Sequence, residues 1–338
     1  MNNFDLSEDT KAVLLLCCKL VPTSPLSPLS PVEYDRLAKA LHLQGMRPAS
    51  IFEETHLEAL ASSAHIKDGE RLKGLLSLRG KLGFFLEEWQ QVGIWILSRG
   101  DASYPERIKK HLGDHRPPIL FGRGDISILQ KGGLGVVGSR NIDQAGESFT
   151  RNIGQLCAQA MIPVVSGGAR GVDSIAMLRC AEWGGYATGF LADSLIKKSL
   201  SKEFHDYITN GHIVLVTPYN PKAGFSVGAA MGRNKLIYAQ SNQTLIISSD
   251  FQKGGTWAGA IEELKRPEHR TIFVRDEEGI PIGNKKIISL GGIPFSPIID
   301  LSDFKNRVVR CSISSELQKH KILKQVVQDS LLSQSFMS

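Results

Sequence analysis

Leu134-Gly-Val-Val-Gly-Ser-Arg140 decides how this chain is read. Four residues make a short apolar run that ends at a glycine, a hydroxyl and a cation. Leu134–Val137 therefore predicts a strand that turns sharply into polar chemistry. Phe149, Ile153, Leu156, Cys157 and Ala160 follow at i, i+4, i+7, i+8 and i+11, which is one apolar face of a helix. The run Ile162-Pro-Val-Val165 predicts the next strand, and a helix is expected around 172–183. Further strands are expected at 186–191, 213–217, 243–248 and 271–274. Strands that are apolar throughout and alternate with helices predict a parallel sheet covered on both faces. The expected fold is thus a doubly wound, Rossmann-like α/β domain over residues 98–300.

Ligands of such sheets sit where strands turn into helices. Three glycine-rich segments fall at those turns: Gly138-Ser139-Arg140, then Ser166-Gly167-Gly168-Ala169-Arg170-Gly171-Val172-Asp173, and Lys253-Gly254-Gly255-Thr256. Glycine lets backbone N–H groups approach an anion, and a helix N-terminus favours negative charge. Arginine adds a bidentate fork. Asp173, three residues past Arg170, offers that arginine a local partner. Arg233-Asn234-Lys235 is expected just before a helix at 236–240, where two cations and an amide suit phosphate and base-edge contacts. The sequence therefore predicts one phosphate-binding groove with no catalytic group, no metal and no cofactor.

Two familiar patterns are set aside. Gly133-Leu-Gly135-Val-Val-Gly138 fits G-x-G-x-x-G, but its first two glycines lie before and inside the strand, and no acid stands about 20 residues on for a ribose. Gly80-Lys81 has the wrong spacing from Gly74, and Leu82 stands where a P-loop needs Ser or Thr.

Outside the sheet region, residues 1–97 read helical. Ser7 is placed to cap a helix, Pro31 to open a second, and short helical patterns follow near 55–63 and 69–90. Residues 301–338 form a tail with Leu317, Leu323, Val327 and Leu331 at helical spacing and Lys319, Lys321 and Lys324 around them. The chain has 338 residues, and 40 basic minus 34 acidic groups give +6. That balance permits a polyanionic partner. No run approaches the roughly 18 apolar residues of a membrane span, and no signal peptide is visible, so a cytoplasmic location is expected. Five cysteines (Cys17, Cys18, Cys157, Cys180 and Cys311) lack C-x-x-C spacing and are expected to be reduced.

Together these segments resemble the DprA (Smf) family of DNA-processing proteins, over about residues 95–275. The likeness is carried by Gly138-Ser-Arg140, by Ser166–Asp173 and by Trp95-Ile-Leu-Ser-Arg-Gly-Asp101-Ala-Ser-Tyr104-Pro105. Arg233-Asn-Lys235-Leu-Ile and Gly254-Gly-Thr256-Trp-Ala258 add to it. The resemblance implies an extended Rossmann fold that binds single-stranded DNA, dimerises and loads a RecA-type recombinase. It implies phosphate contacts from Arg140, Ser166, Gly167, Arg170, Arg233 and Lys235, and a sterile-alpha-motif-like domain in the N-terminal helices. The family's aromatic–proline pair before its R-N-R is replaced by Ala229-Ala-Met-Gly232, which leaves Phe225 or Trp257 to stack on a base. Its second arginine is Lys235, and its C-terminal winged helix has no room in the tail. DprA-like proteins also occur in defence and toxin–antitoxin loci, so an antitoxin or anti-phage subunit with a protein partner is a second reading. A third is a LOG-like nucleotide phosphoribohydrolase, which Lys253-Gly-Gly-Thr256 with Glu262 partly resembles.

Overall fold

A computed structural model of the chain describes residues 6–53, 57–66 and 69–308. Cys311 and the tail pattern from Leu317 to Leu331, with its lysines, lie outside the described residues. Five helices come first: α1 (Glu8–Cys17), α2 (Pro31–Leu43), α3 (Leu57–Ser63), α4 (Gly69–Leu76) and α5 (Leu82–Gln91). Ser7 caps α1 through Thr10 N. Ser30 and Glu33 close a capping box around Pro31 at the start of α2. The pattern at 69–90 is broken by a 3₁₀ turn, Ser77–Lys81, which contains Gly80.

Nine strands then form one sheet. In chain order the elements are β1 (Trp95–Ser98), α6 (Glu106–Leu112), β2 (Ile119–Arg123), α7 (Ile126–Leu129), β3 (Leu134–Gly138), α8 (Gln144–Gln159) and β4 (Val164–Ser166). They continue as α9 (Val172–Glu182), β5 (Ala187–Phe190), α10 (Leu195–Ser199), α11 (His205–Thr209), β6 (Ile213–Thr217), α12 (Val227–Gln240) and β7 (Gln243–Ser248). The last are α13 (Gly254–Leu264), β8 (Thr271–Arg275), α14 (Ile282–Ser289) and β9 (Ile293–Phe295), followed by a helical stretch at 301–308. The order across the sheet is β1-β2-β6-β5-β4-β3-β7-β8-β9. β6 through β9 run parallel, whereas β2 is antiparallel to both β1 and β6. The expected doubly wound α/β fold is therefore present, extended by an antiparallel pair. Residues 95–97, read as helical from sequence, are strand.

Side chains alternate between the two faces of the sheet. Leu134, Val136, Val164, Leu215 and Leu245 face Ile153, Cys157, Ala176 and Met177 of α8 and α9. Val137, Val165, Val214 and Ile246 face Ile108, Leu236, Ile237 and Ala260 of α6, α12 and α13. The N-terminal helices belong to the first of these layers. Leu14, Leu16, Leu37, Leu72 and Trp89 share one continuous core with the sheet residues Ile119, Phe121 and Leu134. Polar links add to it. Thr10 Oγ1 donates to Ser98 Oγ at 3.3 Å, and the buried Asp35 carboxylate meets Arg99 at 2.9 Å and Arg116 at 3.4 Å.

Within the helical part, Arg71 Nη1 lies 2.8 Å from Glu33 Oε1, and both side chains are mostly shielded. That hydrogen bond lowers the Glu33 carboxyl from 4.5 to about 2, with Ser30 adding to the effect against a desolvation cost. A carboxyl whose pKa is lower when folded stabilises the fold fully above its unfolded pKa. The contribution should vanish as pH falls from about 4.5 to about 2. Glu33→Gln is expected to flatten the acid limb of the melting profile by about 1–2 kcal/mol, after a discount for solvent screening. Parallel limbs in the two proteins would contradict this.

Burial pushes the Cys18 and Cys180 thiols up to about 12, which keeps them protonated at neutral pH. Cys17, Cys18, Cys157 and Cys180 are free thiols. Among the described residues no helix is long and apolar enough to cross a membrane.

Candidate functional site

β3 and β7 are neighbours, yet their connections run in opposite directions. β3 leads through α8 to β4 on one side, and β7 leads through α13 to β8 on the other. That is the switch point of the sheet, where a crevice opens beyond the strand ends. The register slips between Val137 and Gly138, so Gly138 pairs with Ser248. A Cβ on Gly138 would lie 2.6 Å from Val172 Cγ2 and 3.2 Å from Ser248 N. Only glycine lets the β3 end pass this close to both α9 and β7.

A cleft of about 340 Å³ lies at this point. Gly138, Ser139, Arg140, Arg233, Asn234, Lys253, Gly254, Gly255 and Thr256 all line it. A shallower cleft of about 570 Å³ adjoins it, lined by Gly167, Gly168, Arg170 and Lys198. The two share Arg140, Ala169, Phe225 and Arg233. The Arg140 guanidinium lies over the Phe225 ring, 5.1 Å from its centroid. Phe225 is 51% exposed, so one ring face remains available on the partition between the clefts.

Helix ends aim at this space. α1, α2, α8 and α12 carry side-chain N-caps, whereas α9 and α13 have none. At α9 the backbone compensates, since Val172 N donates to Ser139 O and Ser174 N to Ala169 O. At α13 no acceptor among the described residues meets the N–H groups of Gly254, Gly255 or Thr256. They point their partial positive charge out of the protein. Asn234 Nδ2 donates to Gly255 O at 3.0 Å and so ties this turn to α12. The preceding turn is held from behind. Asn284 Oδ1 accepts from Ser249 N at 2.8 Å, and its Nδ2 donates to Ile247 O and Arg275 O. Asn284→Ala would leave three buried backbone groups without this partner. We expect a stability loss of about 2–3 kcal/mol with weakened anion binding, read by melting and titration on one preparation.

Several expected site residues stand elsewhere, for physical reasons. Ser166 is fully buried, and its hydroxyl donates to Val136 O at 2.6 Å, which stitches β4 to β3. Gly171 has φ +87°, and a Cβ there would lie 2.5 Å from Ser139 O, so it serves a backbone crossing. Arg233-Asn234-Lys235 does not precede a helix but lies inside α12. Ser226 caps α12 through Ala229 N, and buried Leu236 and Ile237 offset the cost of Gly228 and Gly232. On a helix three successive residues point in different directions. Arg233 therefore enters the cleft, while Lys235 turns away to Glu262 at 2.8 Å. Glu262, the acid a phosphoribohydrolase would need, is thereby outside the cleft. Trp257 packs edge-on against Phe251, centroids 5.1 Å apart, and lines neither cleft. Of the two aromatic rings expected near the site, Phe225 is therefore the one that lines the clefts.

Asp173 does not pair with Arg170, which donates instead to Asn141 Oδ1 at 2.5 Å. Its partner is Arg233, whose Nη1 lies 3.4 Å from Asp173 Oδ2. Arg233 is only 6% exposed, and its Nε is buried without an acceptor. Burial pushes the Asp173 carboxyl up, and the Arg233 charge offsets this only in part. This buried pair was the feature that sequence spacing did not show.

In comparisons with known proteins, residues 95–278 match the family described as DNA recombination-mediator protein A. Protein Smf from Synechocystis is 28% identical over 177 residues, which is 50% of this chain and 44% of that protein. The DNA processing protein DprA of Bacillus subtilis is 24% identical over 197 residues, 57% of this chain and 64% of that protein. The matched stretch thus spans roughly half the length of these relatives. Among solved structures, DprA from Streptococcus pneumoniae superposes with a TM-score of 0.61 at 17% identity, covering 81% of this chain and 96% of that one. A Helicobacter pylori DprA structure, described for its single-stranded DNA binding mode, gives 0.53 at 21% identity and covers 64% of this chain and 96% of that one. At these identities the likeness speaks for the fold.

Proposed function

This chain belongs to the DNA recombination-mediator protein A family, and we propose that it binds single-stranded DNA in the paired clefts at the switch point, without catalysing a reaction on it. The observation that carries the reading is the cleft wall itself. Arg140, Arg233, Lys253 and the uncapped start of α13 line one continuous space, with Phe225 exposed at its middle. Backbone donors and separated cations fit a flexible phosphate chain, and an exposed ring fits a splayed base. Arg170 and Lys198 extend the charge into the shallower cleft. The proposal includes a DNA-processing or recombination role in which homodimers pass the strand to a RecA-type recombinase.

Titration of a labelled oligothymidylate against a duplex of equal length tests it. Single strands should bind more tightly, and log affinity should fall with log salt by about 0.7 per phosphate neutralised. Equal or tighter binding to the duplex overturns the reading. Arg140→Ala should weaken oligonucleotide binding by about 1.5–3 kcal/mol, roughly 10- to 150-fold, because its guanidinium is exposed and lines both clefts. Its melting temperature should stay near wild type, since no internal ion pair is lost. A lowered melting point with intact affinity would assign Arg140 to the fold instead.

A further inference from the structure

Arg233 is an under-satisfied cation. Its guanidinium offers five donors. Among the described residues one acceptor meets it, Asp173 Oδ2, through a single long contact of 3.4 Å. Its Nε is buried without a partner. A bidentate anion would satisfy this group better than the lone carboxylate does. Asp173 stands on the same cleft wall, so carboxylate and incoming anion address the same guanidinium.

We propose that Asp173 is a positioning residue that stands in for a phosphate, holding the Arg233 guanidinium in place in the free protein and yielding it to a phosphate of the bound strand. This rests on the single-stranded-DNA reading of the cleft. An ionised Asp173 both occupies Arg233 and repels the incoming anion. Protonated, it does neither. Strand binding therefore takes up a proton, and affinity rises as pH falls. The raised pKa of Asp173 brings its titration toward the working range. The charged and titratable groups facing the pair are Arg233 and Tyr238 of α12, Arg140 after β3, Tyr219 after β6, Asp250 and Lys253 after β7, and, across Arg233 in the adjoining cleft, Arg170, Asp193 and Lys198. The β4 turn brings no charge to the deeper cleft. Tyr238 is held protonated by burial, which leaves Asp250 in this cleft and Asp193 in the adjoining one as the other carboxylates along the proposed strand path.

The experiment measures oligothymidylate affinity from about pH 7.5 to about pH 5 for the full chain, Asp173→Asn, Asp193→Asn and Asp250→Asn. Thymine carries no group that titrates in this window. Wild type should bind about fivefold or more tightly at the acid end. Asp173→Asn should show that gain already at neutral pH and then stay flat, while Asp193→Asn and Asp250→Asn should keep the wild-type slope. A flat wild-type profile overturns the proposal. So does an Asp173→Asn protein that binds no better than wild type at neutral pH, or an Asp193→Asn or Asp250→Asn profile that loses the slope. If Asp173→Asn does not fold, the wild-type, Asp193→Asn and Asp250→Asn profiles decide: a slope in all three supports the proposal, and its absence in any of them overturns it. No oligothymidylate binding by wild type at any pH would instead remove the single-stranded-DNA reading, and this proposal with it.

Discussion

Replacing Gly167 by alanine should evict the buried guanidinium of Arg233 while leaving the chain folded. A Cβ at 167 would overlap Arg233 Nη1 and lie 2.5 Å from Asp173 Oδ2. Both are ends of side chains, not backbone, so they move aside and the strand stays. The expelled arginine no longer presents its donors to the cleft floor. Oligonucleotide affinity should drop by about 1.5–3 kcal/mol, roughly 10- to 150-fold. Arg233→Ala should cost the same. Because one change acts through the other, the double mutant should lose nothing further. Additive losses would show that Gly167 contributes through its own backbone and that the steric account is wrong.

Gly133→Ala should be the most damaging single methyl group in the sheet. Gly133 has φ +138°, and a Cβ there would land on the carbonyl oxygen of Pro163, 2.7 Å from its carbon. The obstacle here is backbone, and Leu134 N already donates to that same carbonyl at 2.8 Å. Strain at φ costs about 1–2 kcal/mol, and forced overpacking about 1–3 kcal/mol more. A loss of about 3 kcal/mol or more is expected in urea unfolding, with normal strand affinity for whatever protein remains folded. The first glycine of the apparent G-x-G-x-x-G thus serves strand packing. Wild-type stability for this variant would refute the close approach of β3 and β4.

What the sequence made legible follows from burial. β6 and β7 match the expected 213–217 and 243–248 because strands covered on both faces are apolar from end to end. Ser7 and Pro31 mark helix starts because capping is local chemistry. The three glycine-rich turns meet at one place because parallel strands end on one side of a sheet. The rest depended on distance. β1 and β2 are short edge additions whose antiparallel pairing leaves no periodic trace. α12 hides behind two glycines, so its start was missed, and with it the opposite directions of Arg233 and Lys235. Asp173 offered itself to its neighbour Arg170, but its partner arrived from 60 residues away.

The core shared by the N-terminal helices and the sheet separates two boundaries. Family likeness begins at residue 95, at the first residue of β1. Cohesion does not begin there, since Leu14, Leu37 and Trp89 interlock with Phe121 and Leu134. A gene fragment cut at the edge of the likeness would bare an oily flank on the sheet. What is inherited as a recognisable block and what must fold together are different lengths of this chain. Substitutions in the first 94 residues must accordingly keep their packing against that sheet.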